Sequence, residues 1–338
     1  MRLGTFLQYA GDAVRTVDQA VALEQAGLDA VWVAEAYGFD APTLMGYLAA
    51  RTERVLIGSA ILPIYTRTPA LIAQTAAGLD AVSGGRALLG LGASGPQVIE
   101  GWHGVRYDRP LARTREIIDL CRRMWRREVI TNDGIYQLPY PGGTGLGKPL
   151  KMLTKPVRDE IPVYVAALGD KNVELTAEIA DGWLPILFLP EKAKSVWGKA
   201  LDAGRARRTR GPLDVVASGL LAIGEDVTGL RELARANVAL YVGGMGARGR
   251  NFYNDLMRRY GYEAEAATIQ DLYLAGRKEE AAAAVPAEFL ELTALVGPAG
   301  HVKERLEAFR EAGVTMLNVT PVGPDPIGDV RTLREWMG

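Results

Sequence analysis

The 338-residue chain has one cysteine, Cys121, and two histidines, His103 and His301. A single thiol excludes a disulfide framework and any cysteine-ligated cluster within the chain. Two histidines leave no metalloprotease motif and no histidine-based zinc site, so no metal is expected. There is no G-x-x-x-x-G-K-[ST] phosphate loop. Ser94 stands in "GASGP" rather than in a G-x-S-x-G elbow, with no credible base beside it. Long apolar runs are missing too. Nothing approaches the ~18 consecutive apolar residues of a membrane span, and "MRLGTFLQYAG" has no apolar stretch of the signal-peptide kind. Nor is positive charge in excess: the net charge is −1, with no basic stripe or tail to attract nucleic acid. The expectation is a soluble, cytoplasmic protein without nucleic-acid or membrane partners, acting on a small-molecule substrate. With so few nucleophiles and metal ligands, a bound organic cofactor has to carry the chemistry.

What is present points to an α/β fold. Apolar residues make up 48% of the chain and charged residues 23%, enough to bury a large core. Short apolar strand patterns run over 3–7, 30–34, 55–61, 87–91, 162–166, 182–187, 215–223 and 315–319. Amphipathic helical patterns follow most of them, at 14–26, 43–51, 70–82, 112–127, 172–180, 191–207 and 302–312. Cys121 falls on the fourth of these, as a core or half-buried residue. Continuous apolar strands separated by helices read as parallel. "QAGLDAVWV" and "EAGVTMLNV" both run a helix through Ala-Gly into a strand, with glycine suited to the left-handed position that ends a helix. Eight βα units fit a (β/α)8 TIM barrel over residues 1–338 as one domain. Two insertions break the rhythm. One, about 128–160, is rich in Gly and Pro and carries a hairpin at 130–138. The other, about 243–286, has helical apolar spacing, and both are expected at the C-terminal rim.

"LLGLGASGPQV" contains G-x-G-x-x-G at residues 90–95. A dinucleotide fingerprint needs a first strand, an immediate helix and an acidic residue about 20 positions on. Here the motif follows the fourth strand, and Pro96 with an irregular segment comes next, so no helix is expected to start at Gly95. Two readings remain: small residues for tight packing inside a barrel, or a strand end kept open so that a planar ligand can lie against the backbone. The same lack of bulk recurs in "IGSAILP" and "VAALGDKN". The helix starting near Lys171 offers N–H groups and a dipole to a phosphate, or is an ordinary turn with Asp170 as N-cap.

The strings "VWVAEAYGFD", "RTERVLIGSAILPIYTRTPALIAQTAAGLDAVSGGRALLGLGASGPQVIEGWHG" and "AEIADGWLPI" closely resemble bacterial luciferase-like oxidoreductases. Within them, the chain is most similar to the branch that uses coenzyme F420, a 5-deazaflavin. The resemblance implies a TIM barrel with rim insertions, a homodimer, and a non-prolyl cis peptide within Ser59-Ala60-Ile61 supporting the cofactor ring. It places Gln8, Glu35, Ala36 and Tyr37 beside that ring, and Gly92, Ala93 and Ser94 near the ring or ribityl chain. It assigns Ala167, Leu168, Gly169, Asp170 and Lys171 to the phosphate. Arg67, Lys148, Lys151, Arg248 and Arg250 lie in expected rim loops, either as cations for the cofactor's glutamate tail, with Arg248 and Arg250 the best placed, or as solvated loop residues. The sugar-phosphate dehydrogenases of the branch carry an Asp-His pair after strand two and a Glu after strand four. "AEAY" and "GASGPQV" stand there instead, so oxidation of a sugar phosphate is not expected. Hydride transfer to an activated C=C or C=N bond fits better. Glu35, Tyr37, Tyr65 and His103 are candidate proton donors, and Tyr65 and Trp183 candidate pocket walls. Glu35 could instead pair with an arginine at the mouth, and His103 could simply pack in a loop. FMN-dependent monooxygenation with a partner reductase is the alternative chemistry, and a non-catalytic flavin-binding barrel the alternative class.

Overall fold

The computed structural model describes residues 1–7 and 11–338, so Gln8 lies outside the described residues. Eight parallel strands close into a barrel. They are β1 (Arg2–Leu7), β2 (Ala30–Val33), β3 (Leu56–Ser59), β4 (Ala87–Gly92), β5 (Val163–Val165), β6 (Gly182–Trp183), β7 (Asp214–Ile223) and β8 (Met316–Pro321). β8 pairs with β1 and β6 with β7, which closes the ring. The outer layer is α1 (Ala13–Gln25), α2 (Ala41–Arg51), α3 (Pro69–Val82), α4 (Pro110–Trp125), α5 (Asp170–Ile179), α6 (Pro190–Arg205), α7 (Ala299–Glu311) and α8 (Pro326–Met337).

Local chemistry sets these boundaries. Asp12 accepts from the N–H groups of Val14 and Arg15 and starts α1. Asp40 and Thr68 cap α2 and α3 in the same way, each with proline in the first turn. Gly27 and Gly313 follow α1 and α7 at φ +106° and +86°, as the Ala-Gly punctuation requires. Cys121 is fully buried in α4, and burial pushes its thiol pKa up.

Side-chain alternation divides the core in two. Val31 and Val33 face the helices, whereas Ala30 and Trp32 face the barrel axis with Leu88, Tyr164, Leu184, Val216 and Met316. The registers stack inward residues in tiers drawn from alternate strands. Gly4, Gly58, Tyr164 and Val216 make one tier. Trp32, Gly90, Leu184 and Asn318 make the next toward the C-terminal mouth. Phe6, Ala60, Ala166 and Ser218, all half-buried, lie above it.

Several elements differ from the sequence pattern. β6 stops at Trp183 rather than Leu187, because Pro185 has no N–H for the ladder and Leu187 takes φ +54°. A further strand, Leu295–Gly297, pairs with the end of β7 but is too short to register as a pattern. α8 starts at an Asp-Pro signal, with Asp325 accepting from Gly328 N–H at 2.9 Å. A short helix, Pro96–Gly101, does follow Gly95 directly, against expectation, since proline suits its first turn. It leaves the fourth strand of a closed barrel, so the dinucleotide fold still does not apply. Between β7 and α7 the chain is mostly helical, including Phe252–Arg259, Glu263–Leu274, Lys278–Ala283 and Ala287–Leu292.

A methyl group at Gly90 would sit 1.7 Å from the Ser59 carbonyl oxygen, whereas one at Gly78 in α3 meets nothing within 4 Å. Gly90→Ala is therefore expected to cost ~3 kcal/mol or more, or to prevent folding. Gly78→Ala is expected to stabilise by ~0.5–1 kcal/mol. Urea unfolding of the two variants checks the opposed signs.

Candidate active site

The end of β3 shapes one wall of the mouth. The Ser59 hydroxyl donates to Gly90 C=O at 2.8 Å and accepts from Gly90 N–H at 2.9 Å. Ser59 is thus fully buried and stitches β3 to β4 rather than facing the mouth. The Ala60–Ile61 peptide is cis, inside the span where the resemblance places such a bond. Leu62–Pro63 then rejoins the sheet beside β4. Ala60 and Ile61 are half-buried against the inner cluster. Gly92 leaves no room for a side chain, since a Cβ would come within 2.9 Å of Ile61. Ala93 and Ser94 continue the wall, with Ser94 turned at φ +56° and its carbonyl accepting from the Tyr107 hydroxyl at 3.4 Å.

At the end of β2, the Glu35 carboxylate is clamped. Arg67 donates to its two oxygens at 2.5 and 2.9 Å, and Ala41 N–H donates to Oε2 at 2.7 Å. Only 8% of the Glu35 side chain and 13% of the Arg67 side chain are exposed. Of the two readings of Glu35, the arginine pair is the one the chain adopts. Its oxygens accept from N–H groups, so it is a brace for the β2 and β3 loops rather than a proton donor. Arg67 is correspondingly spent and is not a tail cation.

Tyr65 is pinned: its hydroxyl donates to the Asp108 carbonyl at 2.8 Å, and its ring lies 5.1 Å from that of Tyr107 and 5.4 Å below Arg113. Burial first, then Tyr107, pushes its phenol pKa up. His103 is half-buried in the loop after Pro96–Gly101, and its Nε2 is buried without a partner among the described residues. Tyr37 is exposed. Trp183 is not a pocket wall. It points outward into the helical layer, is 1% exposed, and packs on Phe188 and Trp197. The alternation that turns Gly182 inward turns Trp183 out. Its indole N–H donates to Ala167 C=O at 2.8 Å, and that of Trp197 donates to Leu168 C=O at 2.9 Å. The two indoles therefore fix the proposed phosphate loop from behind.

That loop ends at Gly169, which takes the N-cap position of α5 with no side-chain cap. Asp170 is the first helical residue rather than the N-cap, and pairs with Arg259 at 2.7 Å. Lys171 is exposed beside it. Arg248 is paired with Asp271, while Arg250, Lys148 and Lys151 are exposed. Among the described residues no cluster of three or more His, Cys, Asp or Glu could hold a metal ion. Nor is any helix long and apolar enough to cross a membrane.

Sequence reasoning missed Tyr241, just before the second insertion, and Tyr253 within it. Leu240–Gly244 is a single turn of π-helix, called the π-turn below. Asn251 donates to the carbonyls of Tyr241 and Val242, and Asn254 to Val242 and Ala266. Gly243 and Gly244 let Tyr273 pack against this turn. Tyr241 and Tyr253 meet edge to face at 4.8 Å. Burial raises both phenol pKa values, with Tyr37 adding to the effect on Tyr241, and Tyr241 and Tyr107 to that on Tyr253. The tyrosines thus come from the β2 loop, the β4 loop and the insertion. The only signal in the sequence was the π-turn's "YVGGMG". A groove of about 390 Å³ lies between α2 and α3, lined by Met45, Gly46, Gly78 and Val82 together with Ser59 and Leu62.

A profile of the luciferase-like monooxygenase family matches residues 1–316. The chain belongs to that family. A Mycobacterium tuberculosis protein provisionally named a coenzyme F420-dependent oxidoreductase is 42% identical, the match covering 98% of this chain and 99% of the relative. A 5,10-methylenetetrahydromethanopterin reductase of Archaeoglobus fulgidus is 29% identical, over 89% of this chain and 88% of its own. The coenzyme F420-dependent tetrahydromethanopterin reductase of Methanopyrus kandleri superposes with a TM-score of 0.78 at 21% identity, covering 98% and 96% of the two chains. That last likeness bears on the fold alone.

In this member of the luciferase-like family the Glu35–Arg67 pair is expected to be structural. Arg67→Met should destabilise by ~3–5 kcal/mol by stranding a buried carboxylate, and adding Glu35→Met should recover most of the loss. Urea unfolding of the single and double variants measures both. A single variant as stable as wild type would show the pair to be dispensable.

Proposed function

We propose that the chain is a cytoplasmic F420-dependent oxidoreductase that transfers a hydride between the deazaflavin and a small organic substrate. The observation that carries this reading is the full-length likeness, at 42% identity, to a relative named for that cofactor. The mouth fits a flat ring. Ala34, Ala60, Ala93 and Ala166 are small and half-buried there, and Gly92 admits no side chain. The uncapped N-terminus of α5, with Lys171 beside it, suits a phosphate. Asp170 works against an anion, and its pairing with Arg259 offsets that charge.

A deazaflavin bound there would supply the hydride donor or acceptor that no side chain of the site provides. The chain's own residues do the rest. Glu35, Arg67 and Ala41 hold the β2 loop in one position. Ser59 and Gly90 fix the wall beneath Ala60, and Trp183 and Trp197 fix the loop before α5. Tyr241 and Tyr253, with raised phenol pKa values, keep their protons through the neutral range and stand where a substrate would enter. No structural partner accepts from either hydroxyl among the described residues, so each is free to donate to substrate. Their rings favour a flat, apolar or aromatic compound with an activated double bond. A homodimer also belongs to this reading. The apolar groove between α2 and α3, with Leu71 and Val82 exposed on α3, is its natural face.

Equilibrium titration with F420 and with FMN, followed by quenching of protein fluorescence, tests the cofactor. Micromolar or tighter F420 binding with negligible FMN binding is expected. Preference for FMN would move the reading to a monooxygenase with a partner reductase. Binding of neither would leave a non-catalytic barrel. Once a substrate is found with reduced F420, Tyr253→Phe is expected to lower kcat ~100-fold with F420 affinity unchanged. An unchanged kcat would remove Tyr253 from proton transfer. Analytical ultracentrifugation is expected to give a dimer, and Val82→Glu a monomer.

A further inference from the structure

Asn318 has no role in the reading above, yet it is the most anomalous polar residue in the barrel. It lies on β8 in register with Gly4 of β1 and Ser218 of β7, facing the axis. It is 1% exposed, and neither its Oδ1 nor its Nδ2 has a hydrogen-bond partner among the described residues. Its tier otherwise consists of Trp32, Gly90 and Leu184, so it is the one primary amide on an apolar floor. Trp32 does not help, since its indole N–H points to Met316 Sδ at 3.4 Å. Buried hydroxyls elsewhere in the barrel are satisfied: Thr5 donates to Val319 C=O at 2.7 Å, and Ser59 is bonded twice to Gly90. Among the described residues Asn172 Oδ1 and Gln270 Nε2 are also buried without a partner, but Asn318 is the side-chain amide with both polar atoms left so.

The fold makes room for it. A Cβ on Gly4 would lie 2.1 Å from Asn318 Oδ1, so glycine at position 4 seats the amide. Directly above are Phe6 and Ser218, both half-buried, at the level of Ala60 and Ala166. Asn318 thus lies one tier below the half-buried residues of the mouth. A buried amide left unpaired lowers stability, and leucine of nearly the same shape would not carry that cost. A group kept at such a cost points to a ligand.

We infer that Asn318 recognises the cofactor, its amide taking the adjacent carbonyl and N–H of the pyrimidinedione edge that deazaflavins and flavins share. Side by side, Oδ1 accepts and Nδ2 donates, which complements an imide edge in two hydrogen bonds. This inference rests on the cofactor reading above. It adds that selection of a ring with that edge comes from β8, across the barrel from the β3 wall.

The test compares wild type with Asn318→Leu in two measurements, the melting temperature of the protein alone and the dissociation constants for F420 and for FMN. N318L is expected to melt at or above the wild-type temperature and to bind F420 more than about tenfold more weakly, the size of one buried hydrogen-bonded contact. A lower melting temperature with F420 affinity within about twofold of wild type would overturn the inference, since it would make the amide a structural group completed by water. N318A carries the same binding comparison if N318L does not fold. Wild type that binds FMN and not F420 would sink the F420 reading alone, and N318L is then expected to weaken FMN. Wild type that binds F420 with N318L unaffected would sink the Asn318 assignment alone. Binding of neither by wild type would overturn both.

Discussion

The barrel depends on matching each of its two large interior rings with a glycine on the next strand. A side chain at Gly58 would collide with the Trp32 ring, and one at Gly182 with the ring of Tyr164. Trp32 and Tyr164 themselves meet edge to face at 4.9 Å and fill the axis. Below them, Tyr164 donates to Asp214 at 2.7 Å, and Arg2 pairs with the same carboxylate. The N-terminal end is thereby closed by a polar cluster and the middle by two rings. The tier of Phe6, Ala60, Ala166 and Ser218 above them is only half-buried and opens to the C-terminal end. A tightly filled barrel with one open end is what places any ligand at that end.

The same constraint answers the question raised by G-x-G-x-x-G. Gly90 is small because the Ser59 carbonyl occupies its side-chain space, and Gly92 because Ile61 does. Packing and an open strand end are two aspects of one arrangement. The β3 chain turns across β4, and in doing so sets Ala60 and Ile61 at the mouth. The residues around it act chiefly as braces. Ser59, Glu35, Arg67, Trp183 and Trp197 all spend their polar atoms on backbone or on each other. A site made this way is stiff before any ligand arrives, which suits chemistry that depends on orientation.

Much of this was legible in the sequence, and what was not has physical reasons. All eight barrel strands follow from apolar runs, and the helix-ending glycines from Ala-Gly, because period and backbone conformation are local properties. Which way a side chain faces depends on where a strand truly starts. That is why Trp183 and Ser59 read as pocket residues yet point elsewhere. Pairing is non-local: Glu35 and Arg67 stand 32 positions apart, so sequence could offer an arginine partner only as one of two readings. Asn318 sat unremarked in "MLNVTP", since a single polar residue in an apolar strand says nothing until its neighbours are known to leave it unpaired. Tyr241 and Tyr253 escaped for a related reason. A π-turn and two asparagine side chains, not helical periodicity, bring them together.

The central claim is that the open C-terminal tier holds a deazaflavin. A crystal structure of the chain grown with F420 tests it most directly. The account predicts the ring against Ala60–Ile61 and Gly92–Ser94, with the phosphate at the N-terminus of α5. A ring bound elsewhere, such as the groove between α2 and α3, would contradict it.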